Sequence, residues 1–197
     1  MASWMVHLRI ADKLLDLIPG LSPVEFIVGN IAPDSGVPNA DWSAFTPVLR
    51  DSYNERQYAF YLGYLTHLLT DVLWSDRIAM PSFEKFAPKG HPDRTALVWK
   101  VKDDWYDLDH KYLRDHPGFR AFRVYLGAVG FRNEFMEEFS EDAFDDRREY
   151  ITDFYLQGGD NLDREYPYLT EAEMDAFVET AVREILDILH TNYGVKL

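Results

Sequence analysis

His67 and Asp71 stand one helical turn apart inside the apolar run FYLGYLTHLLTDVLW, residues 60–74, where an aliphatic pair would pack more readily. Residues four apart project from the same face of a helix, so this imidazole and this carboxylate can meet one object together. Steps of three or four place Phe60, Gly63 or Tyr64, and Trp74 on the same stripe. Desolvating a lone carboxylate is costly unless an ion or a buried partner compensates it. Imidazole nitrogen with carboxylate oxygen at this spacing suits Zn²⁺ or another first-row divalent ion. The simpler alternative is a structural pair in which Asp71 accepts a hydrogen bond from a half-buried His67. Of the six histidines, only His67 has an acidic residue four positions on.

Two more polar groups sit at the edges of apolar surface in the N-terminal part. His7 lies among Val6, Ile10 and Leu14, and Asp34 falls at the Pro-broken end of FIVGNIAPDSG, residues 26–36. A helix that opens with His, one that ends in Asp-Ser-Gly and an internal His-x-x-x-Asp are the parts of a metal cluster held between helices. Asp104, between Val101 and Leu108 on an apolar stripe, is a fifth candidate ligand; an ion pair with an arginine such as Arg56 or Arg77 is the alternative. His110 reads as a surface residue. With no cysteine in the chain, any ion must be held by nitrogen and oxygen.

The elements that would position these groups are helical. Val6, Ile10, Leu14 and Leu17 form one stripe, closed by Pro19-Gly20, and Ser22-Pro-Val-Glu25 has the form of a capping box with Pro at the first helical position. Residues 33–52 mix Pro, Gly, Asn and Asp without period and read as a loop. Helices are expected at about 54–79, 94–114, 118–127, 131–138 and 141–157, with a last one capped by Thr170 and Glu173 and running to about 190. Strand patterns are absent, GGDNLDREYP at 158–167 reads as a long loop, and Trp4, Trp42, Trp74 and Trp105 read as core. The expectation is an all-α multi-helix bundle, a single domain over 1–197.

Composition narrows the partners. A chain of 197 residues with 47% hydrophobic content can bury a sizeable core, and 34 acidic against 20 basic residues give a formal charge of −14. That charge opposes the phosphate contacts of nucleic-acid binding and disfavours anionic membranes. No apolar run approaches the roughly 18 residues of a membrane span. The N-terminus carries no secretory pattern, so a cytoplasmic location is expected. No nucleophilic triad, phosphate-cradling Gly-rich loop or dinucleotide fingerprint is present.

The order His7, GNIAPDSG, then GYLTHLLTDVLW resembles the zinc-dependent phospholipase C family, whose all-α fold is shared with fungal single-strand nucleases. The resemblance covers roughly residues 4–75. It implies His7, Asp34, His67 and Asp71 as metal ligands, Asp34 doubling as general base, and hydrolysis of a phosphodiester or phospholipid-type substrate by metal-activated water. Secreted members also use the amino group of a processed N-terminal Trp, whereas Trp4 here follows Met-Ala-Ser. Residues 35–66 contain no histidine and no His-x-x-x-Glu occurs, so one or two ions are expected instead of three. The alternatives are a non-catalytic metal-binding helical protein retaining part of the site, and a phosphatase or phosphodiesterase for a small soluble metabolite.

Overall fold

The structure, a computed structural model, describes residues 1–36 and 49–197. Trp42 and most of the loop expected at 33–52 lie outside the described residues. In chain order the helices are α1 (Trp4–Leu17), α2 (Pro23–Ile31), α3 (Glu55–Trp74), α4 (Met80–Phe86), α5 (Arg94–Asp115), α6 (Arg120–Gly127), α7 (Ala143–Leu156) and α8 (Glu171–Tyr193). No strand occurs among the described residues. The all-α expectation is met, and no described helix is long and apolar enough to cross a membrane.

Local chemistry explains most helix ends. Asn54 caps α3 by accepting from Gln57 N while the Gln57 side chain accepts from Asn54 N, and Thr170 with Glu173 does the same for α8. Gly194, at φ 68°, ends α8 in the left-handed conformation that favours glycine. The box expected at Ser22 does not form, because the Glu25 carboxylate is held by Arg56 and by the Ser22 hydroxyl. Residues 131–138 are likewise not helical. There the Asn133 carboxamide accepts from Phe135 N and Met136 N and donates to Met136 O and Phe139 O, taking over bonds a helix would make within its backbone. The helix expected to stop at 79 instead passes through a π-helical turn, Ser75–Ala79, into α4. Pro81 follows that turn and has no N–H to donate back into it.

The tightest packing in the fold joins α2 to α3, and glycine permits it. A Cβ at Gly29 would stand 2.1 Å from the Phe60 carbonyl oxygen, and one at Gly63 would stand 2.2 Å from the Phe26 carbonyl oxygen. The two backbones therefore touch directly. Phe26, Phe60 and Tyr64 are fully buried, as are Leu8, Ile10 and Leu14 of α1, and Trp74 meets Trp105 edge to face at 5.1 Å. Because α2 and α3 are in backbone contact, the C-terminal end of α2 is delivered to the middle of α3. Asp34 ends the short 3₁₀ turn Ala32–Asp34 that continues α2, and so reaches His67.

Candidate metal centre

Three helical segments supply the site. His7 comes from the first turns of α1, Asp34 from the turn after α2, and His67 with Asp71 from the buried face of α3. The two imidazoles stack in parallel, with centroids 3.8 Å apart and an interplanar angle of 1°. His7 Nε2 stands 3.4 Å from Asp71 Oδ1, His67 Nε2 3.5 Å from Asp71 Oδ2, and His67 Nε2 3.8 Å from Asp34 Oδ1. One ligand atom each from His7, His67 and Asp71 lie within 4.8 Å of one another.

The orientation of each group has a cause. His67 Nδ1 donates to the Asn30 carbonyl at 2.7 Å, which leaves the Nε2 lone pair of the neutral ring facing the cluster. Trp4 Nε1–H donates to Asp34 Oδ2 at 2.8 Å, leaving Oδ1 toward His67. The Ala2 N–H donates to Asp71 Oδ1 at 2.6 Å. His7 is fully buried, and neither ring nitrogen has a hydrogen-bond partner among the described residues. Two neutral imidazoles and a carboxylate, one imidazole carrying unpaired nitrogens, are a donor set that fits a borderline divalent ion.

Charge is divided unequally over the stack. Burial, and then the neighbouring charge of His67, lower the pKa of His7. Burial works against charging His67 as well, but the Asp71 and Asp34 carboxylates outweigh it, and its pKa is raised. Burial also opposes ionised Asp71, yet the two imidazoles hold its pKa well below the ordinary carboxylate range. His67 is thus the easier of the two rings to protonate, and it faces an ionised Asp71. The imidazoles are enclosed, while the side chains of Asp34 and Asp71 are 12% and 20% exposed and form the edge open to solvent.

Asp104 does not join this group. Its Oδ1 pairs with Arg164 at 2.7 Å and its Oδ2 accepts from Tyr168 N and Leu169 N, so it tethers the segment ahead of α8. The arginine is Arg164, from the long loop, not Arg56 or Arg77. Its place on the apolar stripe reflects burial in this tether. His110 is also not a surface residue: it is 8% exposed and packs against Phe154 and Tyr155.

The sequence reading misses a second buried carboxylate, Asp109, which accepts from Ser3 Oγ at 2.8 Å and from Tyr155 OH at 2.9 Å. Tyr155 OH in turn accepts from Met5 N, so Asp109 anchors the start of α1, one residue from Ala2 and its bond to Asp71. The only signal was an acid adjoining Leu108 on the buried face of α5, and Asp107 and Asp103 beside it masked that pattern. Burial pushes the pKa of Asp109 up to about 7, against the opposing pull of Ser3, Tyr155 and Arg9. A carboxyl that is a stronger proton binder folded than unfolded destabilises as pH rises from its unfolded value near 4 to its folded value. Between pH 4 and 7 this group therefore removes on the order of 4 kcal/mol, and nothing further above that range. Asp109→Asn is expected to flatten the stability profile between pH 4 and 7, measured by urea unfolding at a series of pH values. An unchanged slope in the variant would show that Asp109 does not titrate in this window.

Comparison with known proteins finds no family, no curated protein and no solved structure that the chain matches.

Proposed function

We propose that the protein is a metal-dependent hydrolase of phosphodiester or phospholipid-type substrates, in keeping with its resemblance to the zinc-dependent phospholipase C family. The observation that supports this reading is the convergence of His7, His67 and Asp71 with Asp34 beside them at an edge open to solvent. A bound divalent ion, Zn²⁺ first among those a nitrogen and oxygen set takes, supplies Lewis-acid polarisation and charge neutralisation to phosphoryl chemistry. His7, His67 and Asp71 are the residues that hold it, with Asn30 fixing the His67 tautomer. Asp34 has one oxygen occupied by Trp4 and the other turned toward the cluster, so it can accept a proton from a water at that edge. Trp4 then acts as a positioning residue for Asp34.

The second reading is a non-catalytic metal-binding helical protein. In its favour, Ala2 N and Trp4 Nε1 already occupy one oxygen each of Asp71 and Asp34, and both imidazoles are sealed from solvent, as in a structural site. Activity separates the two. Soluble phosphodiesters and short-chain phospholipids assayed with Zn²⁺, Mn²⁺ and chelator are expected to show metal-dependent turnover, reduced about 10²- to 10⁴-fold in Asp34→Asn by loss of the proton acceptor. Turnover that survives the chelator would remove the ion from the reaction, and turnover that survives the substitution would remove Asp34 from it. Ion binding without turnover on any substrate would leave the structural reading.

A further inference from the structure

Immediately after Asp34 the chain borders a cavity of about 540 Å³, walled by Ser35 and Gly36 on one side and by Asp146, Arg147 and Tyr150 of α7 on the other. This volume lies in the range of small-molecule sites. Trp4 joins the cavity to the candidate centre, since its indole N–H donates to Asp34 and its ring meets Tyr150 edge-on with centroids 5.9 Å apart. A ligand seated in the cavity would therefore lie next to Asp34.

Arg147 is the only basic residue among those lining the cavity. It is half-buried, lies over the Tyr150 ring at 5.5 Å, and makes no ion pair among the described residues. The acids nearby do not explain it: Asp145 pairs with Arg148 at 2.6 Å, and Asp146 lines the same cavity without closing on Arg147. In a chain with 34 acidic and 20 basic residues, a guanidinium left open to a cavity is available to an outside anion. Gly36 lies against it: at φ 79° this residue occupies the left-handed region that favours glycine, and a Cβ there would be in ordinary contact with Arg147 Nη2 at 3.4 Å.

We infer that this cavity binds the phosphate of a small hydroxylated phosphoester, with Arg147 taking the phosphate oxygens. A guanidinium presents a planar fork of donors that matches two phosphate oxygens at once. The rest of the wall is rich in acceptors, with Glu138 and Asp146 alongside Ser35 and Ser140, and these suit hydroxyl donors on the remainder of the ligand. Those acids would repel a second phosphate, and Phe139, Ala143 and Tyr150 offer apolar surface to the carbon skeleton of a small ligand. The water-soluble phosphate-bearing part of a substrate fits this mixed wall. The inference names a substrate class for the proposed hydrolase and rests on that reading for its catalytic meaning, though not for binding itself.

Calorimetric titration of the chelator-treated full chain tests binding apart from the ion. Glycerol 3-phosphate is expected to bind more tightly than inorganic phosphate, and glycerol not at all. Arg147→Gln is expected to weaken glycerol 3-phosphate binding by roughly tenfold or more, Arg147→Lys by less, with thermal midpoints unchanged. Arg123→Gln, which removes an exposed arginine outside the cavity, is expected to bind as the wild type does. Undiminished binding in Arg147→Gln, an equal loss in Arg123→Gln, or no binding at millimolar ligand would overturn the inference. Phosphate binding as tightly as its glycerol ester would overturn the hydroxylated class. Zn²⁺ titration of the same protein reports on the hydrolase reading separately. Ester binding without ion binding sinks the hydrolase and keeps the cavity, and ion binding without ester binding does the reverse.

Discussion

Gly63→Ala is expected to destabilise the protein by roughly 3 kcal/mol or more, an effect at the upper end for adding a single methyl group. The added Cβ would lie 2.2 Å from the Phe26 carbonyl oxygen and 2.8 Å from Asn30 N. Both obstacles are backbone atoms of α2, so relief requires the two helices to separate and not merely a rotamer change. Alanine gains about 1 kcal/mol over glycine in intrinsic helix propensity, which offsets only part of this cost. Separation would also pull the Asn30 carbonyl away from His67 Nδ1, so the variant should lose ion affinity together with stability. Gly127→Ala in α6 is the control, because a Cβ there meets nothing within 4 Å. It is expected to be neutral or slightly stabilising. Urea midpoints of the two variants decide the matter, and a Gly63→Ala protein as stable as the control would mean that α2 and α3 are not in backbone contact.

That close contact is also where the sequence reading reached its limit. Gly29 and Gly63 occur in apolar runs where glycine is compatible with either a weak helix or a crossing point, and nothing in one strand of sequence pairs two glycines 34 positions apart. The i to i+4 relation of His67 and Asp71 was legible because it is local: helical period alone puts both on one face, and α3 keeps them there. His7 and Asp34 stood out by type, as polar groups bordering apolar stretches. Their meeting at His67 and Asp71 depends on the α2–α3 contact and on α1 lying across it, which periodicity does not encode. Asp104 misled for the complementary reason. Burial on a stripe is visible in sequence, but its partners Arg164, Tyr168 and Leu169 come from 60 or more positions away, and a tethered carboxylate has the same local pattern as a ligating one. Residues 131–138 failed as a helix because one side chain, Asn133, supplies four hydrogen bonds that compete with the helical backbone.

Saturating Zn²⁺ is expected to raise the unfolding free energy by roughly 2.7 kcal/mol at about 100 times its dissociation constant, if the ion binds the folded state alone, and His67→Ala is expected to abolish that increment. His67 is the most informative position because it stands near both carboxylates and lies flat against His7. Its removal also strands the Asn30 carbonyl, a buried acceptor whose loss of a partner costs about 1 to 3 kcal/mol, so the ion-free variant should be weaker than the wild type while still folding. The test is therefore the increment on adding ion and not the absolute midpoint. The increment should depend on pH with a definite sign. In the ion-free protein the raised pKa of His67 contributes stability that is complete below about 6.5 and is lost as pH rises through the folded value. A proton on His67 occupies the lone pair an ion requires, so ion and proton compete. At a fixed total Zn²⁺ concentration the increment should grow as pH rises above about 6.5, as the His67 contribution fades. Thermal shift across that range, read for wild type and His67→Ala with and without Zn²⁺, gives all four curves. An increment that persists in His67→Ala would place the ion elsewhere, and a wild type that shows none at any pH, with no transition metal found by elemental analysis, would remove the metal centre.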